Sequence, residues 1–190
     1  MFQVFVIFGL HWGLTPLALT SMAAVGYDNI IPTAMPATFV QTATVLAIYL
    51  KSKDEKLKKV ALPAFISGLF GITEPAIYGV TLPKKKPFVI SCLASAVSGA
   101  IMGGLGVKRY SMGGLGIFAL ATYLNPETQS FYDVSWSVVA ILVGMAVSFV
   151  ITFITYKDEV KAEPTAAEVA AAEAAVSYTH LRAHETDQYL

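Results

Sequence analysis

One cysteine, Cys92, serves the whole chain of 190 residues, and that scarcity excludes both a disulfide framework and a thiolate metal cage within one molecule. Charge is sparse as well: 14% of residues are charged, and the thirteen basic side chains balance the thirteen acidic ones. No basic stripe remains for nucleic acid. Glycines are plentiful, yet none forms a phosphate loop with the required lysine, and neither a Ser-His-Asp order nor a paired-cysteine motif appears. The start also lacks a basic region and a small-residue cleavage site, because Met1 leads at once into Phe2-Gln3-Val4-Phe5. A chain that opens in mid-segment predicts upstream helices of a larger protein. What is abundant is apolar surface: 55% of the residues are hydrophobic, which places the chain among membrane proteins.

A helix needs about 20 apolar residues to cross a hydrocarbon core of about 30 Å. Residues 87–107 and 134–156 meet that length, and the second carries no charge from Val138 to Ile151. Shorter apolar runs at 1–10, 17–25, 37–50 and 111–124 contain or border Gly, Pro and His. Broken helices at membrane depth are tolerated only inside protein or beside a watery cavity. The expected fold is therefore an all-α, polytopic membrane protein with re-entrant hairpins, part of a transporter domain.

Lysines supply the orientation, since cytoplasmic loops carry an excess of basic residues. One cluster is Lys51, Lys53, Lys56, Lys58 and Lys59; the next is Lys84-Lys85-Lys86. If both are cytoplasmic, the stretch 60–82 between them must enter and leave on one side. That predicts a re-entrant hairpin with Thr73-Glu74-Pro75 near its tip, where Pro75 disfavours helical geometry at Glu74. Lys108 and Arg109 then fall on the outer side, against the general rule. After Tyr156 the composition turns polar, so residues 1–156 form the membrane part and 157–176 a solvated linker. The final segment, 177–190, matches neither neighbour and is set aside as non-native.

Glu74 lies in Gly71-Ile-Thr-Glu-Pro-Ala-Ile-Tyr-Gly79, an acid in an apolar stretch. Such an acid is either paired within the protein or functional. An ionised carboxylate only accepts hydrogen bonds, which suits sugar hydroxyls, whereas a neutralised one could relay protons. Thr73 stands next to it. His11, in Gly9-Leu-His-Trp-Gly13, is either a satisfied core residue or a partner for a sugar hydroxyl or a proton. Trp12 reads as an interfacial anchor or as a flat surface for a pyranose ring. Asp28, in Tyr27-Asp-Asn29, forms a turn or joins the substrate site. Cys92 reads as a small buried hydrophobe. The glycines at 103, 104, 106, 113, 114 and 116 suggest close helix packing. His180 and His184 have helical ligand spacing but no third ligand, so neither a metal nor a cofactor is expected.

Taken in order, Phe8-Gly-Leu-His-Trp-Gly13, Gly26-Tyr-Asp-Asn29, Gly71-Ile-Thr-Glu-Pro-Ala-Ile-Tyr-Gly-Val80 and Lys84-Lys-Lys-Pro-Phe-Val89 resemble the membrane-embedded C domain (EIIC) of bacterial phosphoenolpyruvate-dependent sugar phosphotransferase permeases. The similarity falls in the glucose superfamily, nearest the β-glucoside, sucrose and trehalose group, and covers the C-terminal half of such a domain. It implies a homodimeric, multi-pass transporter among the lipids of the bacterial cytoplasmic (inner) membrane. Its sugar site would draw on a hairpin glutamate and an earlier histidine, which map onto Glu74 and His11. Sugar phosphorylation during uptake would use a phosphocysteine on a B domain (EIIB), charged by an A domain (EIIA), so the transferase activity needs partners. Cys92 does not match the B-domain cysteine, and the linker after Tyr156 is where an A domain would attach. Two other readings stay open: an ion-coupled transporter with a Glu74–His11 proton relay, and a structural membrane subunit without substrate.

Overall fold

The computed structural model of the protein describes residues 2–158. Helix α1 (Phe2–Ile7) leads through a 3₁₀ turn at Leu10–Gly13 into α2 (Leu14–Val25). Helices α3 (Ile30–Ala34), α4 (Pro36–Lys51) and α5 (Glu55–Leu69) follow. The chain then turns into α6 (Glu74–Ala76), which winds on as a π turn over Ile77–Thr81. After α7 (Lys86–Gly104) comes a 3₁₀ stretch at Gly116–Tyr123, and α8 (Tyr132–Thr155) closes the bundle. No strand forms among the described residues; the one extended feature is an isolated antiparallel bridge between Asp28 and Arg109.

Among the described residues three helices are long and apolar enough to cross a membrane: Ile30–Lys51, Lys86–Gly104 and Tyr132–Thr155. The last two match the runs expected at 87–107 and 134–156. Ile30–Lys51 corrects the expectation of a short, interrupted run at 37–50. Its two prolines do not break it. Pro32 falls in the first turn of α3, where a missing N–H costs no helix bond; Pro36 forfeits one and separates α3 from α4, yet Met35 between them keeps helical angles (φ −58°, ψ −37°) and bonds its amide to the Ile31 carbonyl, so the two run on as one span.

Polar contacts fix the relative directions of these spans. Thr44 and Ser148 share a 2.5 Å hydrogen bond, and the Lys51 ammonium donates to the Phe153 and Ile154 carbonyls, so α4 and α8 run parallel. Helix α7 runs against them: Ser98 donates to the Ala140 carbonyl at 2.8 Å, and the Lys108 amide just beyond α7 donates to Asp133 in the first turn of α8. Small residues let the helices close up, as at Gly144, where a Cβ would collide with the Ser98 hydroxyl. Half of the glycines expected to pack helices do something else. Gly106, Gly114 and Gly116 adopt positive φ in the loop between α7 and α8.

The segment between the lysine clusters folds back on itself. Ala61 and Ala64 of α5 and Ala76 and Val80 of the returning limb pack into one core with Val45, Ile48 and Tyr156. From residue 60 to the end of α5 the helix descends about 15 Å, half of a core of about 30 Å. A second loop comes from the opposite end, where the Tyr110 amide donates to the Thr122 carbonyl at 2.9 Å. The two tips meet. A Cβ on Gly71 would stand 2.5 Å from the Gly116 nitrogen, and Phe70 stacks on Phe118 with ring centroids 6.1 Å apart.

Opposite ends of the bundle differ in charge. Lys51 sits at the last turn of α8, and Lys84 lies with its ammonium 5.8 Å from the Tyr156 ring centroid, so both clusters share that end. Arg109 is at the other end but is buried, donating to Ser111, Thr122 and Gly113. A buried guanidinium held by protein oxygens serves the loop rather than a solvated basic patch, which reconciles it with the lysine asymmetry. Cys92 is half-buried rather than buried, and its thiol donates to Gln3 Oε1 at 3.0 Å. Of the expected linker at 157–176 only Lys157 and Asp158 are described, and the tail 177–190, with His180 and His184, lies outside the described residues.

Candidate functional site

Thr73 and Glu74 stand where the hairpin turns back. Thr73 is buried at the helix start, and its carbonyl accepts the Ile77 amide at 2.9 Å. Glu74 is the first residue of α6 and Pro75 the second. Here the structure corrects the sequence reading: Pro75 does not exclude helical geometry from Glu74 but opens a helix behind it, because a proline in the first turn forfeits no bond. An acid at that position also sits favourably at the positive end of the helix dipole. The Glu74 side chain is exposed on the chain's surface and has no hydrogen-bond or ion-pair partner among the described residues. A carboxylate held at the tip of an apolar hairpin and left unpaired is available to a ligand.

His11 lies in the 3₁₀ turn after α1, half-buried, its ring 6.0 Å from Phe2 and 5.6 Å from Trp12 between centroids. Its Nδ1 is buried without a partner, an arrangement that costs about 1–3 kcal/mol and that a polar ligand could relieve. Trp12 is 72% exposed, a broad apolar face beside the imidazole. No ion pair or hydrogen bond joins His11 to Glu74 among the described residues. They are connected indirectly: Tyr78, one helical turn beyond Glu74, donates its hydroxyl to the Ile7 carbonyl at 3.2 Å, four residues before His11.

Asp28 is placed apart from them. It is fully buried, and its carboxylate accepts the Ile30 and Ile31 amides at 2.8 and 3.1 Å, capping α3. Of the two sequence alternatives, the bonds seen are those of the turn, each carboxylate oxygen accepting one backbone amide at a fully buried position. Two residues that the sequence reading passed over also shape the site. Gln3 is buried and links α1 to the Ala37 carbonyl and to Ser91, Ser95 and Cys92 of α7. Tyr78 lies inside the string already singled out for Glu74, and its position four residues on was the available signal.

Residues 1–96 match the family model described as phosphotransferase system, EIIC. The chain belongs to this family. The EIIC match contains both the His11 turn and the Glu74 hairpin. A β-glucoside-specific EIIBCA component of Halalkalibacterium halodurans is 54% identical over 124 residues, 65% of this chain and 20% of that protein. Another, from Dickeya chrysanthemi, is 39% identical over 155 residues, 82% of this chain and 24% of that protein. An N-acetylmuramic acid-specific EIIBC component of Vibrio vulnificus is 35% identical over 159 residues, 80% and 33% respectively. The chain thus spans a fifth to a third of the length of these relatives. No solved structure matches it significantly. As an EIIC segment with three helices able to span a bilayer, it is a membrane component.

Proposed function

We propose that this chain is the sugar-binding part of a phosphotransferase permease that takes up a β-glucoside or a related disaccharide and releases it inside as sugar phosphate. One observation carries the reading: the Glu74 carboxylate is presented unpaired at the turn of a hairpin that is otherwise uncharged. An ionised carboxylate accepts hydrogen bonds from two neighbouring hydroxyls, so Glu74 orients the sugar ring. Thr73 adds a hydroxyl beside it. His11 offers a second polar contact, and the exposed Trp12 face suits the apolar side of a pyranose. Asp28 contributes by capping α3 rather than by touching sugar.

Phosphoryl transfer depends chiefly on positioning and electrostatics, so a membrane domain need only hold a sugar hydroxyl in line with a phosphorylated partner. The relatives' names join EIIB and EIIC, and in two cases EIIA, which supports EIIB as the phosphoryl donor and EIIA as its source. The working unit in this reading is a homodimer in the bacterial cytoplasmic membrane, its site completed by permease residues beyond this chain.

The test is the product of uptake. Cells carrying the permease are fed labelled β-glucoside with and without a protonophore. Sugar phosphate inside, unaffected by the protonophore within the first minutes, is expected. Free sugar inside whose accumulation collapses with the proton gradient would instead establish a proton relay through Glu74 and His11 and overturn the proposal.

A further inference from the structure

We propose that Tyr78 is a positioning residue that holds the His11 arm against the Glu74 helix, through its hydroxyl on the Ile7 carbonyl. This rests on the reading of Glu74 and His11 as two sides of one sugar site. Helix α1 has six residues, Phe2–Ile7, too few to be stable by itself in an isolated chain. It is anchored at two points. Near its start, buried Gln3 donates to the Ala37 carbonyl at 3.2 Å and accepts from Ser91 and Cys92 at 3.0 Å each, which ties it to α4 and α7. At its end, the carbonyl of Ile7 is among those that no helical amide satisfies. Tyr78 supplies the missing donor at 3.2 Å.

The geometry of the returning limb explains why this bond matters at the site. Tyr78 is four residues after Glu74, in the π turn Ile77–Thr81, so the two side chains project from adjacent turns of one limb. That limb is pinned on its far side, where Gln41 of α4 donates to the Thr81 hydroxyl, which itself donates to the Ala76 carbonyl at 3.1 Å. Gln41 and Thr81 fix the limb to the bundle, and Tyr78 then fixes the arm to the limb. His11 follows Ile7 by four residues, with Gly9 in a left-handed conformation (φ 71°) between them, so its ring goes where the Ile7 end is held. Without the Tyr78 hydroxyl that glycine-containing segment keeps the Gln3 anchor and the edge-on packing of His11 on Phe2 but loses the hydrogen bond that ties it to the Glu74 limb.

The experiment pairs Tyr78→Phe with a distance reporter in the permease containing this chain, in a Cys92→Ser background. Spin labels on cysteines at Leu10 and Ile72, both exposed, report the arm-to-hairpin separation without sugar. Tyr78→Phe is expected to broaden that distance distribution and to raise the KM for sugar about 2- to 10-fold, the equivalent of one net hydrogen bond, while kcat stays within about twofold. An unchanged distribution, or a fall in kcat at unchanged KM, would overturn the role. Glu74→Gln serves as the separate control: if it leaves sugar binding intact, the sugar-site reading falls, while the label distances still decide the role of Tyr78.

Discussion

Lys51 and Lys84 converge on the same end of α8, the first on the Phe153 and Ile154 carbonyls and the second over the Tyr156 ring. Since each belongs to one of the two basic clusters that flank residues 60–82, that stretch enters and leaves the bundle at one end. The loop between α7 and α8 lies at the other, with Lys108 bonded through its amide to Asp133. Single cysteines replacing Lys59, Lys86 and Thr128 in a Cys92→Ser background are expected to react accordingly with an impermeant maleimide. Lys59→Cys and Lys86→Cys react from the cytoplasmic face and Thr128→Cys from the outer face. Reaction of the two lysine positions from opposite faces would mean a straight crossing.

The contact between hairpin tips predicts an intolerant glycine. Gly116 has φ 53°, and a Cβ there would stand 2.5 Å from the Gly71 nitrogen and closer still to the Leu69 carbonyl oxygen, all of it backbone. Gly116→Ala should therefore cost about 2–4 kcal/mol from left-handed strain and overpacking together. Thermal unfolding in detergent would register this as a lower midpoint. A midpoint equal to that of the parent would show that the two tips do not press together.

Asp28 gives a prediction of the opposite kind, a loss of stability without a loss of affinity. Asp28→Ala removes the acceptor of two amides, Ile30 and Ile31, and an N-terminal capping loss is typically about 0.5–2 kcal/mol. Stability should drop by that amount while the KM for sugar is kept. A selective rise in KM at unchanged stability would return Asp28 to the substrate site.

Much of the architecture could be read from the residues. The runs at 87–107 and 134–156 had to be helices because nothing in them could satisfy a backbone exposed to lipid otherwise. The hairpin between the lysine clusters followed from charge and length together. The span Ile30–Lys51 was hidden by Pro32 and Pro36, which read as breakers by identity, although Pro32 lies in a first turn and the chain keeps helical angles at Met35 just before Pro36. Position is a property of the folded helix, so it was invisible before the ends were known. Glu74 was legible as unusual, but that its side chain is left exposed and unpaired is a property of the folded hairpin, as is the meeting of the two tips through contacts such as Phe70 on Phe118, and no local pattern encodes either. Gln3 and Tyr78 were missed for a related reason. Each is a single polar residue whose partner lies far away in sequence, Ser95 for one and Ile7 for the other.

The central claim is that the carboxylate of Glu74 grips the sugar, and sugar binding by Glu74→Gln in the reconstituted permease tests it most directly. A neutral amide keeps the shape but replaces one acceptor oxygen by a donor, leaving hydroxyls mismatched at roughly 1–3 kcal/mol each. Isothermal titration should show affinity for β-glucoside falling by about 5- to 150-fold with the fold intact, the range that this energy gives. Binding equal to that of the unmodified protein would contradict the account.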